Sequence, residues 1–322
     1  MIRIRTIRAL ALTAAAGMSL AASVASSART AGAQTRRYSR NADYQSRIDT
    51  TFAFDKNGTV TVNATSGDII VTGWSRDQVH VRAVSDDDNI RLSATSSRMT
   101  LEVGGSNRGS DTRFEVSVPY GVRVLATARS GDISVRGTRG QVETHSQSGD
   151  IQVEDATTRL DVNTLSGELS ATNISGDAEV VTVSGDVKLT DVRGNVDVGT
   201  VSGDIEMRGV TAKLVRVKTT SGDVTYDGIV DPAGRYEMVT HSGDVRMHIP
   251  REASAQLTVS TWSGGINSDF PITLKPGEHG IGRSSSKRFT FEIGAGAARI
   301  TAETFSGDIT ISSNGRGASD RR

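Results

Sequence analysis

Cysteine is absent from all 322 residues, which excludes disulfides, thiol nucleophiles and zinc–thiolate centres. Aromatic residues make up 4% of the chain and prolines number only 5, so a large aromatic-centred core is not available. Net charge is lacking too, since 37 basic and 37 acidic residues cancel. After residue 33 there is no run of about 20 apolar residues, so no later segment is long enough to cross a bilayer as a helix. Familiar catalytic signatures are also missing. The histidines (His80, His145, His241, His248 and His279) form no His-Glu-x-x-His pattern, and no Gly-x-Ser-x-Gly elbow occurs. Residues 277–284 carry P-loop-like glycine spacing, but Arg283 stands in place of the lysine and no strand-to-helix context surrounds it. That segment reads as a loop.

What is abundant is glycine, 34 residues of it, much of it in one motif. Ser-Gly-Asp or a close variant begins at Ser66, Ser130, Ser148, Ser166, Ser184, Ser202, Ser221, Ser242, Ser263 and Ser306. From Ser130 to Ser202 the starts are evenly spaced through four successive steps, and the steps then widen slightly to Ser221, Ser242 and Ser263. The outer intervals, Ser66 to Ser130 and Ser263 to Ser306, are near three and two such periods. Before each turn stands apolar-x-apolar-x-Thr-x, as with Leu160, Val162 and Thr164, and after it apolar-x-apolar, as with Ile151 and Val153. Period-two alternation in β-branched residues specifies short strands with one buried face. Each unit therefore holds two strands, with a second corner near residues 137–140, 155–158, 175–177 and 193–195. Constant spacing with matched inward columns predicts an all-β parallel β-solenoid of 18–21-residue coils, irregular capping units at both ends, and strands pairing about 4.8 Å apart. A propeller would need repeats of about 40 residues, and a hairpin sandwich would not demand equal spacing.

The turn glycines (Gly131, Gly149, Gly167, Gly185, Gly203, Gly222, Gly243) allow a positive φ at a tight corner. The acids after them (Asp132, Asp150, Glu168, Asp186, Asp204, Asp223, Asp244) can accept local backbone hydrogen bonds in Asx-type turns. Stacked at about 4.8 Å, neighbouring carboxylates repel by roughly 1 kcal/mol in water. A charge-assisted backbone hydrogen bond offsets this with about 1.5–3 kcal/mol, so the column requires no cation. Calcium is the cofactor such a column would take, but the nonapeptide of calcium-binding β-rolls is absent, and no cofactor is expected. The threonine column (Thr164, Thr182, Thr200, Thr219, Thr240, Thr261, Thr304) points inward by parity, with hydroxyls placed to bond one another along the stack. The next residue in each unit points outward: Leu165, Val183, Val201, Thr220, His241, Trp262 and Phe305. An apolar column on the outside is the candidate partner surface, unless a neighbouring segment covers it.

Arg3, Arg5 and Arg8 followed by a small-residue apolar stretch over 9–25 and Ala31, Gly32, Ala33 form a signal-peptide pattern over 1–33. Its removal leaves 33 basic and 37 acidic residues, a net charge of −4 unsuited to nucleic acid. No polybasic segment for anionic lipid is present. The organisation expected is 1–33 signal peptide, 34–50 flexible segment, 51–129 N-terminal β region and cap, 130–313 repeat solenoid, and 314–322 disordered tail.

Three features together carry a resemblance: the stretch from Ser66 to Trp74, the lead-in at Val118, Pro119 and Gly121, and the Thr-x-Ser-Gly-Asp repeats. Over about residues 50–313 the chain resembles the bacterial β-strand-repeat family of unknown function labelled "putative adhesin". The resemblance implies a solenoid-like fold and a periplasmic, cell-surface or secreted location, and it transfers no catalytic residue. The function expected is an exported, non-enzymatic adhesin-like or structural module that contacts a protein or polysaccharide through a solenoid face. A polysaccharide-active enzyme would need one special carboxylate pair, whereas acids stand on every turn. A self-assembling envelope scaffold is the third reading.

Overall fold

The computed structural model describes residues 2–3, 46–86, 90–103, 112–271, 273–274 and 287–314. Apart from residues 2–3, the signal-peptide pattern lies outside the described residues, as do the P-loop-like segment and the tail beyond 314. Among the described residues the regular elements are all strands, and they join in one sheet of mixed, largely parallel pairing. Ser46–Ala53 is already a strand, so regular structure begins before residue 51.

Two ladders run side by side, each built from one strand per repeat. In the first, Ile133–Arg136, Ile151–Glu154, Leu169–Ile174, Val187–Val192 and the start of Ile205–Ser221 pair in parallel, with Ile133 opposite Ile151 and so on. In the second, Arg123–Ser130, Val142–Ser148, Arg159–Ser166, Asp177–Ser184 and Val196–Gly199 pair likewise. The offset between partners equals the interval of the motif, as Ile133 with Ile151 and Ser166 with Ser184 show. A one-residue slip would turn every apolar side chain outward, so the alternation itself holds this register. The inward columns pack together as the core, for example Ile133, Ile151, Leu169, Val187 and Ile205 from one ladder and Val124, Val142, Leu160, Ala178 and Val196 from the other.

The second corner has its own left-handed column. Gly137, Asp155, Asn173, Asp191 and Gly209 recur at the same even interval, with φ of 54–67°. Glycine, aspartate and asparagine are the residues that enter this region at least strain. Between Ser221 and Ser242, where the repeat is longer, two tyrosines fill the added space. Tyr226 and Tyr236 pack edge to face at 5.8 Å. The Tyr236 hydroxyl donates to Ala212 O at 2.7 Å and accepts from Asp231 N at 2.8 Å, fastening the longer corner.

The long interval from Ser66 to Ser130 is not three periods. Ser66 is the direct partner of Ser130, and Ser242 of Ser306, so each of these gaps is a single step of the ladder. At the N-terminal end the chain leaves the ladder after Asp68–Trp74 and forms Gln78–Ser85, Ile90–Ala94, Arg98–Val103 and Thr112–Pro119. These include antiparallel pairs, with Gln78–Ser85 between Ser46–Ala53 and Thr112–Pro119. It then returns at Arg123–Ser130 to lie against the repeat it left. At the other end Ala298–Ser306 inserts between Val224–Ser242 and Ala255–Ser263, and the antiparallel strand Lys287–Ile293 lies beyond. The interval from Ser263 to Ser306 is therefore also one step, taken backwards. Motif spacing alone cannot distinguish a skipped repeat from an excursion that returns to its starting point.

Candidate interaction surface

The turn glycines are required twice over. Gly131, Gly149, Gly167, Gly185, Gly203, Gly222, Gly243 and Gly307 have φ between 117° and 154°. They are also stacked so closely that a Cβ on Gly185 would fall 2.1 Å from Gly167 O, with equivalent clashes along the column.

The acids beside them bond between repeats, not within their own turn. Asp132 Oδ1 accepts from Asp150 N at 2.9 Å, and Asp150 Oδ1 from Glu168 N at 2.9 Å. Asp186 accepts from Asp204 N, Asp204 from Asp223 N, Asp223 from Asp244 N and Asp244 from Asp308 N, each at 2.8 Å. The Asx-type local bond expected from sequence is thus replaced by an inter-strand one. Parallel stacking puts the next amide closer to the carboxylate than any amide of its own turn. Glu168 breaks the chain, since no bond joins it to Asp186 N. Arg246 clasps Asp223 and Asp244 at 2.6 Å each. Burial pushes the Asp223 carboxyl upward, but the Asp244 amide and the Arg246 guanidinium outweigh this and hold it below the usual carboxylate range.

The threonines are buried as expected, but their hydroxyls do not bond one another. Thr164, Thr182, Thr200 and Thr219 donate to the carbonyl of the turn serine two residues on, at 3.3–3.4 Å. Thr240, Thr261 and Thr304 reach a glycine carbonyl of the adjoining repeat at 3.0–3.1 Å. The turn carbonyl is the nearer acceptor, and at Ser184, Ser202 and Ser221 it also accepts the turn glycine N–H of the adjoining repeat.

The acid column and the outer positions of the first ladder form a groove of about 810 Å³, with Ser134, Gln152, Ser170, Lys188 and Thr225 along it. Among the described residues no group of three His, Cys, Asp or Glu side chains is placed to hold a metal ion. Further along this face Asp227, His248 and Ser312 are partners on adjacent strands, and His248 Nδ1 lies 2.6 Å from Ser312 Oγ. The His248 strand is paired on both sides, so its amides serve the ladder and offer no oxyanion site. This is a polar row that the histidine count alone did not reveal.

The outward column lies open. Leu165 is 53% exposed, Val183 44%, Val201 51%, Phe305 47% and Trp262 42%, with Thr220 and His241 also exposed. No described segment packs over it. Because the terminal repeat is inserted, the spatial order is Leu165, Val183, Val201, Thr220, His241, Phe305, Trp262. The last three are one stack. His241 and Phe305 rings lie 4.9 Å apart at 13°, and Phe305 and Trp262 5.8 Å apart at 8°. Val181, beside Val183 on the same face, is 47% exposed. Charged pairs lie further out on that face, with Arg123–Glu143 at 2.8 Å and Arg216–Asp197 at 2.9 Å. Hydrogen bonds from Arg123 and His145 hold the Glu143 carboxyl below its ordinary range.

An all-β repeat protein with a glycine-stacked corner and a bare apolar row beside it is the class these features define. The chain belongs to the Toastrack DUF4097 family, whose family model matches residues 50–312. No curated protein matches it. Among solved structures it is similar to one named a "putative adhesin" from Parabacteroides merdae, at 10% identity and a TM-score of 0.45, covering 83% of this chain and 96% of that one. A second of that name, from Parabacteroides distasonis, shares 12% identity at a TM-score of 0.44, covering 84% and 97%. A third, from the same species and named a "putative lipid binding protein", shares 8% at a TM-score of 0.32, covering 83% and 96%.

Proposed function

We propose that this chain is an exported, non-enzymatic binding module of adhesin type, and that its stacked repeats act as a solenoid closed at both ends by capping strands. It contacts a protein or polysaccharide along the row from Leu165 to Trp262. The observation that carries this reading is the row itself: exposed apolar and aromatic side chains at one position of successive repeats, broken only by Thr220 and His241, with charged pairs further out on the same face. Single exposed apolar residues are ordinary, but a contiguous line of them marks a contact surface. Export is supported by the residues of the 1–33 pattern.

The test is a glycan array combined with a turnover screen and light scattering. Binding without product release supports the module, product release supports a polysaccharide-active enzyme, and concentration-dependent filaments support a scaffold. Replacing Leu165, Val183 and Val201 together by serine should abolish binding while the circular dichroism spectrum and melting temperature hold. Unfolding of that variant would contradict the reading, because the row would then be core.

A further inference from the structure

This inference rests on the row as a contact surface and names what covers it. We infer that the row pairs with a second copy of this chain, antiparallel about a two-fold axis at Thr220. Seven positions make up the row and Thr220 is the middle one, with three aliphatic or small side chains (Leu165, Val183, Val201) on one side and three rings (His241, Phe305, Trp262) on the other. Reversing a second copy about Thr220 sets Leu165 against Trp262 of the partner subunit, Val183 against Phe305 of the partner subunit and Val201 against His241 of the partner subunit. Each small side chain thereby meets a ring. A parallel arrangement would set ring on ring at one end and leave a gap at the other.

The neighbouring outward column fits the same operation at the Gly199 level, while it sets Lys218 against Lys218 of the partner subunit and Val181 against Glu303 of the partner subunit. Val181, Gly199, Lys218, Val239 and Glu303 are partners in that order across the strands. The two-fold at the Lys218 level places Gly199 opposite Val239 of the partner subunit. Gly199 is the one gap in this stretch: a Cβ there would meet nothing within 4 Å, and its φ is not left-handed, so neither fold nor conformation calls for glycine. A hole facing a valine is what close packing of two such faces requires. Six strand spacings give a row about 29 Å long, and with its flanks about 20 Å wide it covers roughly 600 Å² per copy, about 1,200 Å² in total. That reaches the lower bound for a specific complex. At Gln147 and Arg129 the column turns polar, which ends the apolar row at its Leu165 side.

Sedimentation of the full chain tests this, together with single cysteines, which are unambiguous in a chain that has none. The chain is expected to sediment at twice 34.0 kDa at micromolar concentration. Gly199→Arg is expected to sediment as a monomer with an unchanged melting temperature. A short bis-maleimide should link Thr220→Cys chains to each other. It should leave Leu165→Cys chains unlinked, because their thiols sit about 29 Å apart, yet link Leu165→Cys chains to Trp262→Cys chains. A monomeric wild type, a Gly199→Arg dimer, or self-linked Leu165→Cys would overturn the pairing. If the wild type is monomeric while the triple serine variant folds and loses its glycan or protein ligand, the second copy is refuted and the contact surface stands. If the serine variant unfolds, both fail.

Discussion

Replacing Glu168 by aspartate should stabilise this protein. From Asp132 to Asp308 the acid column forms a relay in which each aspartate accepts the amide of the next acidic residue, at 2.8–2.9 Å. The one missing link is from Glu168 to Asp186, where the extra methylene carries the carboxylate past the amide. Aspartate at 168 restores the geometry used at every other step and leaves the charge, and hence the like-charge repulsion along the column, unchanged. A charge-assisted hydrogen bond contributes about 1.5–3 kcal/mol when well shielded. Both residues are exposed, so solvent screening reduces the expected gain to about 0.5–1.5 kcal/mol. For a domain of this size that is roughly 1–5 °C in melting temperature. Differential scanning calorimetry reads the shift, and amide exchange at residue 186 should slow. The reciprocal change, Asp204→Glu, removes the 2.8 Å bond to Asp223 N and should lower the melting temperature by a similar amount. An unchanged or lowered melting temperature for Glu168→Asp would show that the relay contributes nothing and that the acids are there for another reason.

Gly185→Ala should be far more damaging, by about 3 kcal/mol or more, because it combines a φ of 131° with a Cβ 2.1 Å from a carbonyl oxygen; urea denaturation measures it. Tyr236→Phe should lose about 1–3 kcal/mol, since Asp231 N and Ala212 O are left without their partner, while Tyr226→Phe should lose less, having a single bond to Ile229 O. Acid should weaken the fold through Glu143 and Asp223, whose carboxyls both lie below their ordinary range in the folded state. Their contribution is complete above the unfolded values near 4 and is lost as the pH falls through the lower folded ones. A melting temperature that fell only on going alkaline would contradict this.

The middle of the molecule was legible in the sequence because its signals are local and repeated. An even motif spacing, an alternating pattern and a glycine at each corner determine strand, register and neighbour together. The left-handed column from Gly137 through Asp155, Asn173 and Asp191 to Gly209 was equally present as a spacing, but its mixed composition hid it. The ends were not legible. Whether residues 67–129 add repeats or return to the first one depends on pairing between distant strands, and the antiparallel strands there alternate like any others. For the site, parity alone put Leu165, Val183 and Val201 outside. It could not place Phe305 between His241 and Trp262, because that order follows from the insertion of the last repeat. The hydrogen-bond partners of the aspartates and threonines were missed because short-range turn chemistry was the only geometry the sequence offered, and parallel stacking supplies nearer partners.

The continuity of the apolar row depends on that insertion, and cysteine pairs in this cysteine-free chain test it directly. Neighbouring strands hold Cα atoms at a separation a disulfide can span, whereas strands two apart do not. His241→Cys with Phe305→Cys, and Phe305→Cys with Trp262→Cys, should each close a disulfide on mild oxidation, and His241→Cys with Trp262→Cys should not. Ready closure of the 241–262 pair, with residue 305 left free, would mean that the repeats stack in chain order and that the row described here is wrong.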